Sequence, residues 1–206
     1  MTKVKLCGLS RPADIEAANG CRPDFIGFVF AEKSKRYVTE DKARKLKGML
    51  ATGIQAVGVF VDAAPEKVAY LLTEGIIDIA QLHGSEDEEY IRRLRELTDK
   101  PIIKAFRVGS EEDLEKVRAT EADMVLLDSG AGSGEVFDWS LAREVGRPYF
   151  LAGGLGIGNV REAAETLKPY AVDISSGIET DGVKDPEKMR EFTALARSAG
   201  KEEKND

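Results

Sequence analysis

Eight short apolar runs alternate with longer charge-rich segments along the whole chain. The runs are "VKLCGL" (4–9), "DFIGFVF" (24–30), "IQAVGVFV" (54–61), "IDIAQLH" (77–83), "PIIKAFRV" (101–108), "ADMVLLD" (122–128), "PYFLAGG" (148–154) and "AVDISSG" (171–177). Several are unbroken stretches of Ile, Val, Leu and Phe, the pattern of parallel strands covered on both faces by helices.

The segments between them carry helix punctuation. Residues 11–19 put Pro12 in a first turn and stop at Gly20. Thr39 is a plausible N-cap for 39–51. Pro65 opens 65–74, with Val68, Leu71 and Leu72 on one face. Residues 86–97 place Tyr90, Ile91, Leu94 and Leu97 at helical spacing. Ser110 with Asp113 three residues on approximates a capping box for 110–119. Segments 138–145, 157–168 and 185–199 complete the set.

Eight strand–helix units in 206 residues predict a single α/β domain, a compact (β/α)8 TIM barrel over residues 1–200 with a charged tail at 201–206. The competing arrangement is an open doubly wound sheet. It needs fewer strands and usually a G-x-G-x-x-G turn after the first, and "CGLSRPAD" has none.

Composition narrows the functional classes. A net charge of −7 argues against nucleic acid as a main partner. No apolar run is long enough to cross a bilayer, and "MTKVKL" lacks signal-peptide anatomy, so the expectation is a cytoplasmic protein. Two cysteines, Cys7 and Cys21, form no framework, and one histidine excludes His-rich metal chemistry. No metal site is expected.

In such barrels the active site is built from strand C-terminal ends and the loops that follow. Here those ends carry Cys7, Phe30, Asp62, Gln81, His83, Arg107, Asp128, Gly153–Gly154 and Asp173 to Gly177. The last two form a pair. "LAGGLGIGN" (151–159) runs from strand through glycines into a helix, and "DISSGIE" (173–179) ends a strand in Ser175, Ser176 and Gly177. Small residues let backbone N–H groups approach an anion, and the loops after strands 7 and 8 often hold phosphate. Either Gly153 and Gly154 only make tight turns, or the two loops bind phosphate together; the pairing favours phosphate.

Other positions stay two-sided on residues alone. Arg36, in the loop after strand 2, is a solvated cation or a carboxylate fork. Asp128 is a loop cap or a desolvated general acid. Cys7 is a small buried apolar group or, if its surroundings stabilise thiolate, a base or nucleophile. His83 is a site residue or packing. Cys21, between helix 1 and strand 2, reads as structural.

In sequence order, "KLCGL" (5–9), "FVFAEKSKRYV" (28–38), "GVFVD" (58–62), "QLHG" (81–84), "LLDSGAGSGEVFDWSL" (126–141), "LAGGL" (151–155) and "DISSGIE" (173–179) resemble the phosphoribosylanthranilate isomerase family of tryptophan biosynthesis. The resemblance covers almost the whole chain. It departs from the family at Leu6, where Ile is more usual, and at Ser133, where Thr is expected. It implies an Amadori rearrangement of a small phosphorylated substrate with no cofactor. Cys7 then takes the C2 proton, Asp128 protonates the ribose ring oxygen, Arg36 meets the anthranilate carboxylate, and the Gly153–Gly154 and Ser175–Gly177 loops hold phosphate. Asp173 contacts sugar hydroxyls, and His83 joins the substrate site. The expected state is a monomer or homodimer, and the glycines of 129–137 suit a lid. The rivals are the related isomerase of histidine biosynthesis, which has an aspartate in place of Cys7, and a non-catalytic phosphosugar-binding barrel.

Overall fold

The computed structural model describes residues 1–128 and 139–199, with backbone alone at 139–140. Eight parallel strands close into a barrel: β1 (Lys3–Cys7), β2 (Phe25–Val29), β3 (Gln55–Phe60), β4 (Ile79–Leu82), β5 (Ile102–Arg107), β6 (Met124–Asp128), β7 (Tyr149–Ala152) and β8 (Ala171–Ile174). They pair in chain order, and β8 returns to β1 with Lys5 opposite Asp173. The helices follow in turn: α1 (Pro12–Cys21), α2 (Glu40–Gly48), α3 (Pro65–Thr73), α4 (Glu88–Leu97), α5 (Glu111–Ala119), α6 (Trp139–Arg143), α7 (Val160–Leu167) and α8 (Pro186–Ser198). The chain is therefore a single (β/α)8 barrel. The lid expected at 129–137, with Ser133 in it, and the tail at 201–206 lie outside the described residues.

The period-2 alternation of strands places chemistry at one end of the barrel. Phe25, Val57, Ile79, Ile103, Leu126, Phe150 and Ala171 fill the lower interior. Phe25 and Phe150 lie with ring centroids 5.3 Å apart, and Tyr170 stands edge-on to Phe150 at 5.6 Å. Two residues further along β4, β6 and β8 the same inward face carries Gln81, Asp128 and Asp173, while on β1 it carries Lys5 and then Cys7. The other strand face, including Leu6, Phe28, Leu82, Leu127 and Val172, packs beneath the helices in a second, larger core. The apolar runs are unbroken because both faces are buried.

The sequence punctuation holds at several helix starts. Thr39 accepts from the Lys42 N–H, Ser110 from the Asp113 N–H, and prolines occupy the first turns of α1, α3 and α8. Other ends differ. Gly20 does not terminate α1. The helix runs to Cys21, and Arg22 takes the left-handed position (φ 48°), its N–H donating to Ala18 O at 2.8 Å and its carbonyl accepting from Arg197 at 2.7 Å. Cys21 is thus the last helical residue, not a loop residue, with Sγ 3.2 Å from Ala17 O. Helix α4 begins two residues later than expected because Asp87 caps it and Glu86 turns inward. Helix α7 begins at Val160, three residues later than expected, which lengthens the loop after β7.

Past β8 the chain forms a 3₁₀ turn (Ser176–Ile178) and a small hairpin of β9 (Glu179–Thr180) and β10 (Val183–Lys184). Asp181 and Gly182 both have positive φ, 53° and 78°, as the mirror-image turn of a two-residue hairpin requires.

Candidate active site

The C-terminal mouth of the barrel opens into a cavity of about 430 Å³. Cys7, Arg36, Gln81, His83, Arg107 and Asp128 line it, as do Gly153, Gly154, Asp173 and Ser175 to Gly177. Most strand-end positions anticipated from the sequence therefore line one space, but Phe30, stacked on Phe60 in the outer core, and Asp62, in a separate groove beside Ser85 and Glu86, do not. A groove at the opposite mouth, lined by Lys3, Lys168 and Tyr170 among others, gathers no comparable acid–base set.

Cys7 ends β1 at a point built to receive a thiol. Its register partner on β2 is Gly27, where a Cβ would lie 2.6 Å from Cys7 Sγ. Below it, Lys5 is wholly buried and pairs with Asp173 Oδ2 at 2.8 Å. Removing either partner would leave a buried unpaired charge, a loss of about 3–5 kcal/mol. Burial pushes the Cys7 thiol up, against the pull of the Lys5 charge and, more weakly, of Lys184. The neighbouring Asp173 carboxylate adds to the rise. Burial alone would lower the Lys5 pKa, but Asp173 and Cys7 outweigh it and raise it. Asp173 Oδ1 is buried without a protein partner among the described residues, so it can accept a hydroxyl.

Asp128 ends β6 with Arg107 opposite it in register on β5. His83 Nε2 lies 3.2 Å from Asp128 Oδ2, and Gln81 Nε2 lies 2.9 Å from His83 Nδ1. The loop carrying His83 is pinned from below. Glu86 accepts the N–H groups of Asp62 and Gly84 at 2.7 and 2.8 Å, and buried Lys104 bonds both Glu86 and the Gly84 carbonyl.

The two small-residue loops meet. A Cβ on Gly177 would come within 2.6 Å of Leu155 O, so only glycine lets them touch. Gly153 and Gly154 have φ of 78° and 65°. Asn159 ties the same loop internally, accepting from the Gly156 N–H and donating to the Gly154 carbonyl, at 2.8 and 2.9 Å. Ser175 Oγ donates to the Cys7 carbonyl at 3.2 Å, joining this loop to β1.

Arg36 reaches the cavity across Gly8, and its Nε and Nη2 bond Glu179 at 2.6 and 2.8 Å. Lys184 Nζ lies 2.8 Å from Glu179 Oε1 and donates to the Ser175 carbonyl at 2.8 Å. Burial works to raise the Glu179 carboxyl, but the bonds from Arg36 and Lys184 prevail and hold it at about 2. Lys5, Glu179 and Lys184 were not identified from sequence. Glu179 stood in the "DISSGIE" motif without a role, and Asp181–Gly182 was the turn signal that could have exposed the hairpin. Among the described residues no three metal-ligating side chains gather.

A closed parallel barrel with its ionisable groups converging at the strand C-termini belongs to the class of (β/α)8-barrel enzymes. The sequence profile of the N-(5'-phosphoribosyl)anthranilate (PRA) isomerase family matches residues 4–194, and the chain belongs to that family. The N-(5'-phosphoribosyl)anthranilate isomerase of Endomicrobium trichonymphae is 45% identical over 203 residues, covering 96% of this chain and 100% of that one. That of Acetivibrio thermocellus is 46% identical over 213 residues, covering 97% of each. The solved phosphoribosyl anthranilate isomerase from Thermotoga maritima superposes with a TM-score of 0.86 at 37% identity, covering 96% of this chain and 100% of that one. Another solved isomerase, in complex with reduced 1-(o-carboxyphenylamino)-1-deoxyribulose 5-phosphate, gives 0.84 at 36% identity with the same coverage.

Proposed function

We propose that the chain converts N-(5-phosphoribosyl)anthranilate to 1-(2-carboxyphenylamino)-1-deoxyribulose 5-phosphate, with Cys7 as general base and Asp128 as general acid. The observation that carries the reading is the shared lining of one cavity by Cys7, Asp128, Arg36 and both small-residue loops.

The chemistry follows from the groups present. A proton from Asp128 goes to the ribose ring oxygen, the C1–O bond breaks, and its electron pair stays on that oxygen. The nitrogen lone pair forms the C1=N iminium, which acidifies the C2–H. Cys7 takes that proton, and the C–H electrons become the C1=C2 bond as the nitrogen recovers its pair. The enol O–H then loses its proton, C1 gains one, and the ketone results. The substrate's own nitrogen is the electron sink, so the scheme calls on no cofactor. Asp173 Oδ1 receives a sugar hydroxyl, and His83, at the cavity wall, orients Asp128 toward the substrate. The phosphate sits between Gly153–Gly154 and Ser175–Gly177, where Ser176 and the glycines offer backbone N–H groups. An arriving dianion also meets more cations than anions, since among the described residues Arg36 and Lys184 share Glu179 as their one carboxylate.

This reading places the enzyme in the cytoplasm, as one barrel domain over 1–200, acting as a monomer or homodimer. Among the described residues no helix is long and apolar enough to cross a membrane. One T. maritima structure is of monomers generated from a dimeric isomerase. The test is conversion of freshly made N-(5-phosphoribosyl)anthranilate, followed by loss of anthranilate fluorescence, with an enzyme-free control and product mass. The histidine-pathway aminoaldose is run in parallel. Turnover of the first substrate supports the reading. Turnover of the second alone, or binding with no turnover of either, overturns it.

A further inference from the structure

We propose that Glu179 is a specificity-determining residue: it fixes which edge of the Arg36 guanidinium meets the substrate carboxylate. The inference rests on the proposed function and deepens its account of substrate choice.

A guanidinium has five N–H donors and two edges that suit a carboxylate. One edge is formed by Nε and Nη2, the other by Nη1 and Nη2. Glu179 occupies the first edge with two bonds, 2.6 Å from Nε and 2.8 Å from Nη2. Among the described residues nothing bonds Nη1, so the second edge remains available to a ligand in the cavity that Arg36 lines.

The stem is fixed as well. It crosses Gly8, where a Cβ would stand 2.4 Å from Arg36 Cδ, and Gly8 has φ of +78°. An alanine there would be strained and would displace the arm. Glu179 is itself immobilised. Its register partner in the β9–β10 hairpin is Lys184, which bonds Glu179 Oε1, the Ser175 carbonyl and, at 3.4 Å, Ser175 Oγ. Ser175 in turn bonds the Cys7 carbonyl. One connected set of bonds thus relates the carboxylate-binding edge to the phosphate loop and to the base. The distance between a substrate's carboxylate and phosphate is read against that frame.

Without Glu179, Arg36 keeps its charge but can present either edge, so a carboxylate would bind in several geometries. Turnover needs one of them.

The test compares the carboxylated substrate with N-(5-phosphoribosyl)aniline, which lacks the carboxylate, in wild type, Arg36→Ala, Glu179→Gln and the double variant. Glu179→Gln is expected to raise KM for the carboxylated substrate by roughly tenfold, the loss of one well-placed charged hydrogen bond, and to change KM for the aniline substrate, which shares only the phosphate loop, by clearly less. The double variant should be no worse than Arg36→Ala on the carboxylated substrate. Circular dichroism checks folding. If Glu179→Gln does not fold, Glu179→Asp, which withdraws the carboxylate by one methylene, should show the same selective rise, smaller in size. An equal rise for both substrates, or none for either, overturns the proposal. Wild type that fails to convert the carboxylated substrate at all instead overturns the proposed function.

Discussion

His83 Nε2 stands 3.2 Å from Asp128 Oδ2, and the opposite ring nitrogen faces the Gln81 amide at 2.9 Å. With the Gln81 amide oriented so that its nitrogen faces the ring, Nδ1 accepts and Nε2 carries the hydrogen toward Asp128. His83 is therefore placed to orient, through Oδ2, the carboxyl of the proposed general acid. The loop that carries His83 is held by Glu86 and Lys104, so this geometry is set before substrate arrives.

That arrangement predicts a particular kinetic signature. His83→Ala should lower kcat by roughly tenfold, less than the 10²–10⁴ expected for removing a general acid, and leave KM within about threefold. Steady-state kinetics on the natural substrate checks it. A large KM effect with kcat unchanged would make His83 a binding residue instead.

Gly27 matters because of what it lacks. A methyl there would come 2.6 Å from Cys7 Sγ and 3.1 Å from Cys7 Cα. Gly27→Ala should therefore displace the thiol, with overpacking that destabilises the barrel by about 1–3 kcal/mol. Thermal melts and kcat are measured together. The expected result is a lowered Tm with a kcat loss approaching that of Cys7→Ser. Full activity would mean that Cys7 need not sit where the structure has it.

Glu179 gives the acid stability a distinct limb. Its carboxyl is held at about 2 in the folded chain, against the ordinary glutamate value of 4.5. A depressed folded pKa means that the unfolded chain binds the extra proton first, so stability falls as pH falls. The contribution is whole above about pH 4.5 and is lost progressively down to about pH 2. Denaturant melts of wild type and Glu179→Gln between pH 7 and pH 2.5 should converge as pH drops. A constant gap across that range would contradict the assignment.

Much of this molecule is legible in its sequence, and the illegible parts share a cause. The eight runs mark the eight strands because a parallel barrel buries both strand faces. The strand-end rule then leads to Cys7, His83, Asp128 and Asp173. Lys5 was invisible because its partner Asp173 is 168 residues away and becomes its neighbour only when β8 closes on β1. Glu179 and Arg36, 143 residues apart, are the same case. The hairpin bearing Glu179 and Lys184 has strands of two residues, too short to show any periodicity. Gly20 looked like a helix stop, but tertiary bonds let Arg22 adopt the left-handed turn instead. The surroundings of Cys7 also needed three dimensions, since its burial is opposed by the charges of Lys5 and Lys184.

The central claim is that Cys7 and Asp128 are the two proton carriers of one reaction. The most direct measurement is kcat for Cys7→Ser and Asp128→Asn, together with the Kd of each for the reduced product analogue by isothermal titration. The account predicts that kcat falls by roughly 10²–10⁴ in both variants while the analogue binds nearly as tightly as to wild type. Wild-type kcat in both variants would contradict it, whatever their affinities.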